Sequence, residues 1–102
     1  MTGPTIAGTR AGFDPAAAWR LHPSVAVRPE PFGALLYHFG TRRLTFLKDG
    51  RLLDVVTALD GQPSALAACT AAGVGSDDVA RYTNALARLA AAAMIVRPEE
   101  AP

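Results

Sequence analysis

The sequence is poor in the residues that most often carry chemistry. Its 102 residues include one cysteine, two histidines and a single lysine, Lys48. Cys69 alone closes no internal disulfide. With so few partners it builds neither a zinc site of the usual Cys/His kind nor an iron–sulfur cluster. A net charge of +1 supplies no strong field for nucleic acid, an anionic membrane or an acidic substrate. No stretch approaches the roughly 20 apolar residues of a membrane helix, and the longest run, Leu89–Val96, ends an amphipathic segment. The N-terminus, MTGPTIAGTRAGFDPAAAW, lacks the continuous apolar core of a signal peptide. A lone thiol suits a reducing compartment. The expected location is therefore cytoplasmic, with no cofactor and no metal.

What is present centres on Phe32–Lys48, FGALLYHFGTRRLTFLK. It reads as two strands, Ala34–Phe39 and Arg43–Leu47, turned by Gly40-Thr41-Arg42. Leu35, Tyr37 and Phe39, then Leu44 and Phe46, recur with period two and mark one face of a half-buried hairpin. On that reading the downstream helices cover this face, and His38, on the opposite face, meets solvent. Upstream, residues 1–18 hold few large apolar side chains and read as a tail, with Asp14-Pro15 able to start one helical turn. Ser24–Arg28 is the first strand, crowded by Pro23, Pro29 and Pro31. Proline has no N–H to donate, so this strand is a poor host for a further partner. The third strand, Arg43–Leu47, has no proline, and nothing after it reads as a strand able to pair with its outer edge.

Asp49-Gly50 between apolar runs is a hairpin signal and would make Arg51–Val56 a fourth strand. Leu52, Val55, Val56 and Leu59 instead fall on one helical face, which favours a helix over Gly50–Leu59 with Asp49 at its start. Pro63 and Ser64 open a second helix to Ala72, facing inward through Leu66, Cys69 and Thr70. Ser76 caps a third, with a core stripe of Val79, Tyr82, Thr83, Leu86, Leu89, Ala90 and Ala93. Beside that stripe run Arg81, Ala85 and Arg88, and the small Ala85 leaves a shallow channel between the two arginines. Met94-Ile95-Val96 extends briefly, and residues 98–102 read as a frayed tail. The order is three strands and then three helices, an α+β domain.

No constellation suits catalysis. His22 precedes a proline in a turn, and neither histidine has a carboxylate or cysteine at ligand spacing. No cation or base near Cys69 would activate its thiol. Gly73-Val74-Gly75-Ser76 lacks the glycine spacing and lysine of a phosphate loop. Arg42-Arg43, at the mouth of the proline-free edge, suits a bound partner better. Three helices with a small sheet also fit a winged-helix DNA-binding regulator. The third helix, however, begins Ser76-Asp77-Asp78, which opposes phosphate and ranks that alternative lower.

The residues Trp19, Leu21, Pro23, Arg28-Pro29-Glu30, Phe32-Gly33-Ala34-Leu35-Leu36-Tyr37, Phe39, Arg42-Arg43-Leu44 and Phe46-Leu47-Lys48 carry a resemblance, which the closing Met94-Ile95-Val96 also fits. Over roughly residues 19–97 the sequence resembles the precursor-peptide chaperones of mycofactocin biosynthesis. These fall within the wider PqqD-like family of elements that recognise leaders of ribosomally made, modified peptides. The resemblance implies a winged helix-turn-helix-like fold with a three-stranded antiparallel sheet followed by three helices. It implies a non-enzymatic protein that binds the leader of a precursor peptide and presents it to a radical S-adenosylmethionine (SAM) maturase. That enzyme would carry out oxidative decarboxylation of a terminal tyrosine and then crosslinking. Nucleic acid and membrane are not implied partners. Carried over by position, the leader adds as a strand along Arg42, Arg43, Leu44, Thr45, Phe46 and Leu47, opposite Arg81, Ala85 and Arg88. Left empty, the same edge could pair with a second copy of the chain.

Overall fold

The computed structural model describes residues 13–100. The elements follow in the order β1 (Arg20–Leu21), β2 (Val25–Glu30), β3 (Gly33–His38), β4 (Leu44–Leu47), α1 (Gly50–Leu59), α2 (Ala65–Ala71), α3 (Val79–Ala91) and β5 (Ile95–Val96). Strands β2, β3 and β4 form an antiparallel sheet in that order, and β1 pairs with β5 in a short separate ribbon. The α+β architecture matches the sequence reading. The ribbon gives Ile95–Val96 a partner that the sequence did not reveal.

Local chemistry explains the helix starts. Asp49 has extended backbone and its Oδ1 accepts from Arg51 N at 2.8 Å, so Asp49-Gly50 opens α1 rather than a hairpin. Ser64 Oγ caps α2 by accepting from Ala67 N at 3.0 Å. The start of α3 falls at Val79, with Asp78 rather than Ser76 at the cap position and no side-chain cap bond. Inward residues of α1 are Val55, Val56 and Leu59, as the spacing predicts. In α2 the buried side is Ala65, Ala68 and Cys69, whereas Leu66 and Thr70 face out. That corrects the expected inner face, since small residues let α2 approach closely and the larger Leu66 does not fit there.

The larger correction concerns the hairpin. The residues of β3 turned to the core are Ala34, Leu36 and His38, joined from β4 by Leu47. Leu35, Tyr37, Phe39, Leu44 and Phe46 lie on the other face, with Phe39, Leu44 and Phe46 61%, 57% and 56% exposed. So the helices cover the face with the smaller side chains, and His38, expected in solvent, is buried. α1 packs on β3, and Ala34 presents only a methyl group on that side. The register follows: Ala34 opposes Leu47 and Leu36 opposes Thr45 inside, while Leu35 opposes Phe46 and Tyr37 opposes Leu44 outside.

At the N-terminal side the described residues ahead of Trp19 are already packed, from Phe13 on. Phe13 stacks on Trp19 at 5.0 Å between centroids, Trp19 Nε1 donates to Asp14 O at 2.8 Å, and Leu66 N donates to Pro15 O at 3.0 Å. Trp19 belongs to the core with Leu36, Leu86, Met94 and Ile95. At the other end, Pro98–Glu100 form a single 3-10 turn, and Arg97 pairs with Glu99 at 3.1 Å. The remainder of both expected tails, residues 1–12 and 101–102, lies outside the described residues.

Candidate functional site

A groove of about 300 Å³ runs between β4 and α3. Its walls are Phe46, Lys48 and Asp49 on one side and Arg81, Tyr82, Ala85 and Arg88 on the other, with Leu52 of α1 between them. The spacing of α3 builds the far wall. Tyr82, Leu86 and Leu89 face the core, and Arg81, Ala85 and Arg88 fall on the adjoining stripe. Ala85, with its short side chain, is the low point between the two arginines.

The strand wall follows from the ladder. His38 N donates to Arg43 O at 3.0 Å, which sets which residues of β4 bond inward. By antiparallel alternation, Thr45 and Leu47 bond to β3, while Leu44 and Phe46 turn N–H and C=O to the outer edge. No strand among the described residues pairs with that edge. The two residues with free backbone groups are also the two with bare apolar side chains.

The end of the groove is tied shut. Tyr82 Oη donates to Asp49 Oδ2, joining the first turn of α3 to the junction of β4 and α1. This bond holds the Asp49 carboxyl below its ordinary range, aided by its bonds from the α1 backbone and by Arg81, and it pushes the Tyr82 hydroxyl up. Both carboxylate oxygens of Asp49 are engaged, which fixes this one acid of the groove lining at its closed end. Arg81 lies 5.0 Å over the Tyr82 ring and reaches Asp78 at 3.6 Å, an exposed contact of small energy. Lys48, Arg81 and Arg88 are left to give the groove a cationic rim.

Four of the residues expected from sequence, Phe46, Arg81, Ala85 and Arg88, come together here. Leu44 sits further along the same edge. Thr45 is half-buried and bonded inward, and Arg42 and Arg43 stand exposed at the turn, Arg42 with φ 66°. Leu47 is a correction: its side chain is buried in the core and its backbone faces Ala34, so it offers the groove nothing. Lys48, Asp49, Leu52 and Tyr82 were missed. The sequence reading places Leu52 on the core face of its helix, Tyr82 in the core or at its rim, and Asp49 at the helix cap. The signal was their position at the seam between stripes.

His22 and His38, expected on the surface, stack with ring centroids 4.4 Å apart at the opposite end of β4 from the groove's closed end. Among the described residues no group of three or more His, Cys, Asp or Glu is placed to hold a metal ion. No helix there is long and apolar enough to cross a membrane.

A small α+β domain that leaves a strand edge and a lined groove open side by side has the layout of a binding module. Comparison with known proteins gives that class its family. The family model for the peptide chaperone MftB family matches residues 18–96, and the chain belongs to that family. It is similar to proteins named peptide chaperone MftB from three organisms. The protein from Mycobacterium ulcerans (strain Agy99) is 54% identical over 104 residues, covering 99% of this chain and 94% of that one. Those from Mycobacterium tuberculosis and Mycolicibacterium smegmatis are 57% and 56% identical over 84 residues. Each match covers 82% of this chain, and 77% and 82% of theirs respectively. No solved structure matches the chain.

Proposed function

We propose that this chain is a non-catalytic chaperone that takes the leader of a ribosomally made precursor peptide as an additional strand along β4. It presents the rest of that peptide to a radical SAM maturase in the cytoplasm. The observation that carries this reading is the coincidence of free backbone groups, bare apolar side chains and a cationic groove at Leu44–Lys48. Strand addition uses that combination: backbone hydrogen bonds give affinity, and alternate side-chain pockets give selectivity. Each new backbone bond contributes about 0.5–1.5 kcal/mol net, and each leader side chain fully buried about 1.5–3 kcal/mol. Leu44 and Phe46 supply four backbone groups, so two or three buried side chains bring the total into the micromolar range or tighter, near −8 kcal/mol. Lys48, Arg81 and Arg88 favour acidic residues in the bound segment.

The test is isothermal titration of the chain with the full-length precursor peptide and with a leader-truncated form. Binding of the first and not the second is expected. Equal binding of both, or of neither, would sink the reading.

A further inference from the structure

Two neighbouring turns are each closed by an imidazole, and neither imidazole takes part in the groove. His38, the last residue of β3, is 4% exposed. Its Nδ1 accepts from Gly40 N at 3.0 Å and Thr41 N at 3.2 Å, and its carbonyl accepts from Arg42 N at 2.7 Å. Those bonds shape the turn that delivers the chain into β4. His22 Nδ1 accepts from Ser24 N at 2.9 Å. That second turn is fastened to its surroundings by Phe39 N donating to Ser24 O and His22 N donating to Met94 O, both at 2.9 Å.

A ring nitrogen that accepts an amide hydrogen carries no proton. The geometry thus makes Nδ1 the acceptor in each ring and assigns the ring hydrogen to Nε2. An imidazolium has hydrogen on both nitrogens, so protonating either ring turns an acceptor into a donor aimed at an amide donor. Among the described residues no carboxylate is one of the groups acting on His22, and α1, which packs on β1 and β3, brings one acid, the exposed Asp54. Arg20 of β1 and the His38 ring act on His22, the turn itself carries Arg42 and Arg43, and β5 brings only Ile95 and Val96. The carboxylate of β2, Glu30, pairs with Gly33 at the far end of the strand from Val25 and His38.

We infer that the His22–His38 pair is an acid-sensitive latch on the β3–β4 turn, whose protonation releases the turn amides and loosens the start of β4. Burial, with the adjacent His38 and Arg20, lowers the His22 pKa from its ordinary 6.5. A lowered value on a base means that the native state binds fewer protons than the unfolded chain. The associated stability is thus present above pH 6.5 and is lost as the pH falls through the native value. The consequence for peptide capture, weaker binding in acid, rests on the function proposed above.

The test is a titration of the full chain by proton–nitrogen NMR from about pH 7.5 to about pH 5. The amides of Ser24, Gly40 and Thr41 are expected to shift with the same midpoints as the two imidazoles. Amides that stay in place while the imidazoles titrate overturn the latch. A second arm uses the double variant His22→Asn with His38→Asn, because the asparagine Oδ1 stands where the imidazole Nδ1 did and does not titrate. The denaturant midpoint of the wild type should fall across this range and that of the variant should stay level. An equal fall in both also overturns the latch. Leader binding should weaken several-fold in acid for the wild type only. A chain that binds no leader at any pH would sink the functional reading and leave the NMR result standing.

Discussion

The two edges of the central sheet, β2 with six residues and β4 with four, behave as opposites. On β2 the outward positions are Val25, Val27 and Pro29. Val25 N is already donated to His22 O and Pro29 has no N–H, so among the described residues only Val27 keeps an unpaired outward N–H. Arg28 and Glu30 form an ion pair at 2.9 Å along the same strand. On β4 the outward positions, Leu44 and Phe46, keep both backbone groups and carry exposed apolar side chains. Protein sheets usually blunt their edges with proline, charge or a covering element. This one blunts a single edge with proline and charge and leaves the other beside a groove, so the exposure of β4 is selective.

The change expected to damage this arrangement most is Gly33→Ala. Gly33 has φ +148°, and a Cβ there would lie 1.9 Å from Leu47 O. The clash pushes β4 off β3, and a loss of about 3 kcal/mol or more is expected in chemical denaturation, with binding lost as well. Phe46→Asp should leave folding nearly unchanged, because the side chain is over half exposed. It should weaken leader binding about 30-fold or more by calorimetry, equivalent to about 2 kcal/mol.

The sharpest comparison sets Leu44→Pro against Val27→Pro. Each removes one outward N–H without touching an inward ladder bond. Relative to Leu44→Ala, the β4 proline should cost about 1 kcal/mol of binding, or roughly fivefold, and the β2 proline should cost nothing. Equal effects at the two edges would refute strand addition at β4. Next, Arg81→Glu with Arg88→Glu should weaken binding by about 1 kcal/mol at low salt, and the deficit should shrink as salt rises.

The smallest effect belongs to Tyr82→Phe, expected to lower stability by about 0.5 kcal/mol at neutral pH. The bond lowers the Asp49 pKa from 3.8, so its contribution is present above that pH and lost as the pH falls through the native value. It raises the Tyr82 pKa from 10.0, so the contribution is also lost as the pH rises through that native value. Denaturation of wild type and variant across pH should converge at both extremes.

Much of the fold was legible in the sequence because its signals are local. Period two marked the hairpin, period 3.6 marked three helices, and Leu52, Val55, Val56 and Leu59 outweighed the Asp49-Gly50 turn signal. The face of the hairpin was not legible, because both faces are apolar. Side-chain size pointed to Leu35, Tyr37 and Phe39, while packing against α1 selected the face with Ala34, which no local count reveals. The groove was half legible. Arg81, Ala85 and Arg88 stood out as a stripe, whereas the role of Asp49 depends on Tyr82, 33 residues further on. The partner of Ile95–Val96, likewise, is a two-residue strand more than 70 residues earlier.

β4 is clamped at both ends, by the His38-centred turn at its start and by the Gly33–Leu47 approach and the Asp49–Tyr82 bond at its finish. A strand held in this way is already in its bound geometry before any partner arrives. The conformational entropy lost on association then falls almost entirely on the incoming peptide. A ligand stiffened into an extended shape should bind more tightly through slower dissociation, and stiffening the chain itself should gain little. Affinity in this system is therefore set by how much freedom the peptide gives up.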